Sequence, residues 1–130
     1  MDLSRYETKS KSYTSFLTFS WAMIADIDIE SECIRWVGFL RMDIWGVVRV
    51  LFLRKYRAKF SYLPPTEGGK KTTINMPPLS EPIPESEGWI TCEDDFILFW
   101  ASQSSHAGEQ MFNAPACKLN DGVFHIMIVR

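Results

Sequence analysis

Between Tyr13 and Ile27 the chain is apolar on both faces, with aromatic and β-branched residues crowded into TSFLTFSWAMIADI. This pattern predicts a strand buried within a sheet. The pattern changes at Ile29. Glu30, Ser31 and Glu32 precede Ile34, Val37 and Leu40, which predicts a short amphipathic helix with acidic residues at its start, where the macrodipole favours them. A second helix is predicted over Ile44 to Tyr56, where Ile44, Val47, Val48, Leu51 and Phe52 recur at helical spacing beside or opposite Arg49, Arg54 and Lys55. Tyr56, Ala58, Phe60 and Tyr62 then alternate with Arg57, Lys59 and Ser61, the pattern of a half-buried strand. Further strands are expected at Phe96–Ser102 and Val123–Val129, with a short helical piece near Gly108–Phe112 between them.

Proline divides this pattern. Six of the seven prolines lie between Pro64 and Pro84, so residues 64–87 read as a loop between two folded blocks, Ser15–Leu63 and Gly88–Arg130. The expected class is α+β: a mostly antiparallel β-sandwich with a short helical insertion. The last strand runs to Arg130 with no turn or polar tail, an open apolar edge of a kind that invites aggregation. The expectation is therefore an incomplete domain, a fragment of something larger.

Composition narrows the function classes. The 130 residues carry 14 Lys and Arg against 16 Asp and Glu, a net charge of −2. This balance argues against nucleic-acid binding by bulk charge, because counterion release needs a strongly basic surface, and any such activity would have to come from a local patch. Three cysteines, Cys33, Cys92 and Cys117, without CxxC spacing exclude a disulfide scaffold or zinc ribbon and suit a reducing cytosol. No 18-residue apolar run is present, and the N-terminus lacks a signal-peptide hydrophobic region.

Candidate chemistry concentrates in ADIDIESECIRWVGFLR, residues 25 to 41. Asp26, Asp28, Glu30 and Glu32 stand two apart, so on an extended segment they share one face and demand a cation, metal or ammonium. The ordinary alternative is acid bias at a helix start with solvated charges. Arg35 and Arg41, just under two helical turns apart, are spaced to face one anion such as a phosphate, or are simply surface arginines. GGKKTT at Gly68–Thr73 fails as a phosphate loop, since Pro64 stands where the motif needs glycine and Lys71 where it needs Ser or Thr. His106 and His125 are too far apart for a helical zinc pair, and the alternation VFHIMIV makes His125 a half-buried strand residue. No metal ligand set is assigned. The basic run Arg49, Arg54, Lys55, Arg57 and Lys59, interleaved with Phe52, Tyr56 and Phe60, reads as a solvated face or as a contact for anionic lipid headgroups.

The segment WAMIADIDIESECIRWVGFLR resembles the sphingosine kinases, within the diacylglycerol-kinase-like lipid kinases. The matching residues are Ala25, Asp26, Asp28, Glu30, Ser31, Glu32, Arg35, Gly38 and Arg41. The resemblance continues through LRKYRAKFSYLP and resumes at Ser105-His106, Met111-Phe112, Ala114-Pro115, Gly122 and His125. It implies that residues 1–130 are part of a C-terminal lipid-binding domain, without the N-terminal nucleotide-binding domain. The implied activity is ATP-dependent phosphorylation of the primary hydroxyl of a sphingoid base, with ATP and magnesium as cofactors. Asp28 would engage the lipid head, Arg35 and Arg41 the ATP phosphates, and Ile24, Ile27, Met42, Met111 and Met127 the lipid tail. No residue is assigned as catalytic base, because the glycine-rich loop that carries it is absent. The resemblance further implies a cytoplasmic protein at a peripheral membrane surface, homodimeric in its full-length form. A non-catalytic lipid-binding or interaction fragment is the alternative.

Overall fold

A computed structural model describes residues 1–65, 76–84, 88–108 and 111–130. The strands are β1 (Ser4–Glu7), β2 (Ser12–Ser15), β3 (Thr18–Ala22), β4 (Tyr56–Tyr62), β5 (Ile90–Phe96), β6 (Leu98–Ser102), β7 (His106–Gly108), β8 (Met111–Phe112) and β9 (His125–Val129). Two α-helices, α1 (Met23–Glu30) and α2 (Arg41–Leu51), flank a 3-10 segment at Ser31–Leu40. The class is α+β and mostly β, as the hydrophobic pattern predicts. The chain divides into two compact units. One comprises Met1–Thr18, Lys59–Glu93 and Ser102–His125, the other Phe19–Ala58, Asp94–Ala101 and Ile126–Arg130.

In the second unit β6 lies between β3 and β9 in a three-stranded sheet. A central strand is covered on both faces, and its sequence LFWAS is accordingly a continuous run, with Leu98, Trp100 and Ala101 buried. Phe96, only 1% exposed, anchors this core together with Ala22 and Ile97. Burying such a ring contributes about 2 kcal/mol relative to leaving it in water. Trp21 packs edge-on to Phe96 at 6.5 Å and tilted against Tyr56 at 5.6 Å, while Phe19 meets Phe99 at 6.2 Å.

The first unit opens with a β1–β2 hairpin in which Tyr6 faces Tyr13. Thr8 closes the turn, its amide donating to the Lys11 carbonyl at 2.8 Å. This hairpin is polar throughout, and its lack of apolar alternation hides it from the hydrophobic pattern. Tyr6 meets Phe124 edge-on at 6.4 Å, and burial pushes its hydroxyl pKa up, against the lowering effect of Ser4.

Besides the amphipathic helix expected from Glu30 to Leu40, which is a 3-10 segment broken at Ile34 and Gly38, three sequence expectations change. The strand predicted over Tyr13–Ile27 ends at Ala22, and Met23–Glu30 is helical. A run apolar on both faces does not separate strand from buried helix by periodicity alone. The switch is made at Ala22, whose φ of 64° and ψ of −128° belong to backbone space used almost solely by glycine. The Met23 amide, which a helix start leaves without an internal partner, donates to the Ile97 carbonyl at 3.0 Å. Second, the helical piece near Gly108–Phe112 is instead an antiparallel pair, β7 with β8, drawn together by the His106 and Phe112 rings at 4.6 Å. Third, the helix predicted at Ile44–Tyr56 lies at Arg41–Leu51, so Arg54 and Lys55 fall beyond it. The strand predicted at Tyr56–Tyr62 is present with that span and pairs with β5. Residues 76–84 hold no helix or strand, and Gly68–Thr73 lies outside the described residues.

Candidate functional site

The acidic run sits on α1, and a helix sorts it differently from a strand. Residues two apart on a helix point about 200° apart, whereas residues four apart share a face. Asp26 and Glu30 therefore lie on one face and Asp28 on the opposite one. The expectation that the acids share a single face does not hold.

The inward pair is fully engaged. The Tyr56 hydroxyl donates to Asp26 Oδ2 at 2.6 Å. Glu30 takes the indole N–H of Trp45 at 3.0 Å, Arg54 Nη1 at 3.0 Å and, in closest contact, Arg49 Nη2. Arg49 is buried, with 7% of its side chain exposed, near the C-terminal end of α2, where the dipole also favours a cation. Ser31, wholly buried, places its hydroxyl 3.2 Å from the Asp28 carbonyl oxygen and 3.3 Å from Met42 Sδ.

Asp28 is different. Its side chain is exposed, and among the described residues its carboxylate has no hydrogen-bond or ion-pair partner. Of the four acids it alone is left to meet something from outside.

The 3-10 segment carries the arginines. Its backbone breaks at Ile34 and again at Gly38, whose φ of 76° and ψ of −136° suit glycine. Arg35 Nη1 reaches Glu32 Oε2 at 3.5 Å, and Arg41 Nη1 contacts Glu32 Oε1 directly. Two guanidinium groups six residues apart thus converge on one anion, although the segment between them is a broken 3-10 turn rather than the regular helix their spacing assumed. The anion here is the chain's own Glu32.

The residues expected to meet a lipid tail are distributed unevenly. Ile24 and Ile27 are half-buried on α1, and Met42, 37% exposed, lies in the first turn of α2 with its sulfur 3.3 Å from the Ser31 hydroxyl. Met127 is exposed on β9 of the same unit, while Met111, on β8, belongs to the other unit. The basic run is likewise split. Arg49 and Arg54 serve Glu30, and Arg57 pairs with Asp95 at 3.7 Å, so only part of it remains a solvated face.

The sequence reading missed the partners Trp45 and Tyr56, which stand 15 and 30 residues from the acids they hold. At that separation no local pattern in the sequence pairs them with the acids. It also missed Asp121, whose carboxylate accepts from the Lys118 amide at 2.9 Å and the Val123 amide at 3.3 Å. Burial works against ionisation there, but these bonds and nearby His125 hold its pKa below the ordinary value.

No family model matches the chain. Among curated proteins it is 34% identical over 140 residues to sphingosine kinase 1 of Homo sapiens, covering 98% of this chain and 36% of the relative. It is 26% identical over 147 residues to sphingosine kinase 1 of Arabidopsis thaliana, covering all of this chain and 30% of that protein. Over a shorter stretch of 68 residues, 52% of this chain and 9% of the relative, it is 40% identical to sphingosine kinase B of Dictyostelium discoideum. The class defined by these relatives is that of lipid kinases. Within it, this chain is sphingosine kinase-like along nearly its whole length, and it spans about a third of the human and plant relatives it matches.

Proposed function

We propose that this chain supplies the lipid-head and nucleotide-phosphate contacts of a sphingosine kinase-like enzyme that phosphorylates the primary hydroxyl of a sphingoid base with ATP. The observation that carries this reading is the unpartnered, exposed carboxylate of Asp28 beside three acids that are all engaged. An ammonium head offers such a carboxylate a charge-assisted pair. In this reading Ile24, Ile27, Met42 and Met127, all in one unit, supply apolar surface for the lipid tail.

Arg35 and Arg41 already gather on an anion, so their geometry fits phosphate oxygens. Their contribution is electrostatic, the term on which phosphoryl transfer chiefly depends. Magnesium would accompany ATP, but Asp26, Glu30 and Glu32 are committed to protein donors and do not form a magnesium cage. In this reading the general base comes from a part of the enzyme outside these residues. The proposed setting is cytoplasmic, at a peripheral membrane surface.

The test measures binding of labelled sphingosine to the chain. Asp28→Asn should weaken binding by roughly 10- to 100-fold, the span expected for losing a charge-assisted contact. Asp26→Asn should leave it nearly unchanged. Equal binding by the parent and Asp28→Asn would overturn the assignment. A chimera carrying these residues in place of the matching part of the human relative separates an enzyme segment from a lipid-binding module. Phosphoryl transfer that depends on Arg35 and Arg41 supports the former.

A further inference from the structure

Between β8 and β9 the chain folds back through two successive turns. The Cys117 amide donates to the Ala114 carbonyl at 3.0 Å, and the Asp121 amide to the Lys118 carbonyl at 3.3 Å. Gly122 follows at φ 72°, and three residues later His125 opens β9. This path brings the Cys117 sulfur, an Asp121 carboxylate oxygen and a His125 ring nitrogen within 4.8 Å of one another. Cys117 is buried and the other two are half-buried. Nothing in the proposed lipid or nucleotide contacts uses these three groups.

We propose that Cys117, Asp121 and His125 form a three-ligand zinc site with its fourth position open to water or another donor. Thiolate, carboxylate and imidazole are the donor types zinc accepts, and three protein ligands with one open position is a recurrent zinc arrangement. Bond lengths of about 2.1 Å to nitrogen and oxygen put two tetrahedral ligands roughly 3.4 Å apart. His125 Nε2 and Asp121 Oδ2 already lie 3.3 Å apart. The thiol needs to close by about 1 Å to complete the set, a movement within reach of one side-chain rotation.

The surroundings also match. The carboxylate is steered by the Lys118 and Val123 amides, and ligands of metal sites are ordinarily held by such outer bonds. A loop fastened only by a histidine–aspartate contact accounts for two of the three groups. The buried thiol donates at 3.9 Å to the Lys118 carbonyl, which leaves the sulfur lone pairs available to a metal at the same point. On binding, the sulfur gives its proton to solvent and the metal takes the freed lone pair, with no change of oxidation state.

Cobalt(II) is the probe, used on the chain carrying Cys33→Ser and Cys92→Ser, in which Cys117 is the remaining thiol. The expected result is one equivalent of cobalt bound, an intense near-ultraviolet thiolate-to-cobalt band, tetrahedral visible bands, and displacement of all of them by zinc. Asp121→Asn and His125→Gln should each weaken zinc binding by about 100-fold, at or beyond the loss typical of outer-ligand changes, with the metal-free circular dichroism unchanged. Absence of the thiolate band in this chain would overturn the site, and so would a band that neither substitution alters. Because the decisive band is read without changing Cys117, a poorly folded Cys117 variant does not affect the outcome.

Discussion

The Tyr56 hydroxyl, at the start of β4, donates a 2.6 Å hydrogen bond to the Asp26 carboxylate on α1, joining elements 30 residues apart. The ring also packs on Trp21, so the bond fastens a helix and a strand to the same aromatic cluster. Tyr56→Phe keeps that packing and removes only the bond. A half-buried bond to a charged acceptor contributes about 1–2 kcal/mol. Chemical denaturation should show a loss of that size, with the slope against denaturant unchanged.

Glu30 and Arg49 form the most buried ion pair of the helical region. Removing one partner of such a pair costs more than the pair itself contributes, since the other charge is left stranded. Glu30→Gln should therefore destabilise by about 2–3 kcal/mol. Arg49→Met should cost less, because Glu30 keeps Trp45 and Arg54. If thermal unfolding ranks the two the other way round, the burial assigned to Arg49 is wrong.

Two backbone positions predict opposite signs. Gly38 has nothing within 4 Å of where a Cβ would stand, so Gly38→Ala meets no steric obstacle and tests conformation alone. At φ +76° it should destabilise by about 1–3 kcal/mol. Ala22 already bears a side chain in comparable backbone space. Ala22→Gly should stabilise, by an amount set by the strain relieved minus the entropy glycine adds to the unfolded chain. Melting temperatures of the two variants decide both signs.

Tyr6 gives a pH dependence. Its pKa is raised above the ordinary 10.0, chiefly by burial. The folded chain thus holds the proton more tightly than the unfolded one. The associated stability is present in full below pH 10.0 and declines as pH rises through the folded value. Tyr6→Phe should flatten the alkaline limb of the stability curve relative to the parent. Ultraviolet titration of the phenolate provides the independent check.

How much of this was legible beforehand depended on whether the deciding contact was local. The alternation through Tyr56–Tyr62 identified β4 with its ends, because a half-buried strand writes its environment into every second residue. The run from Ala25 to Arg41 was legible as a chemical cluster by composition alone. Its geometry was not, since the choice of helix over strand at Met23 rests on Ala22 and on partners as remote as Tyr56. The β1–β2 hairpin was invisible for the opposite reason: its polar residues carry no burial signal. Asp121 and Cys117 acquire meaning only when two turns bring them to His125.

The convergence of Arg35 and Arg41 on Glu32 has a consequence for ionic selectivity. A carboxylate tethered a few residues away acts as a built-in competitor at an effective concentration of about millimolar or more. Any diffusing anion has to displace it. A chloride or a single carboxylate offers the arginines nothing that Glu32 does not already provide, whereas a polyphosphate engages both guanidinium groups with several oxygens at once. Wherever a polyphosphate displaces it, the freed Glu32 carboxylate would repel that ligand and shorten its residence. Glu32→Gln should accordingly tighten polyphosphate binding and, more tellingly, raise the affinity for simple anions above that of the native chain, as anion titrations of the two would show.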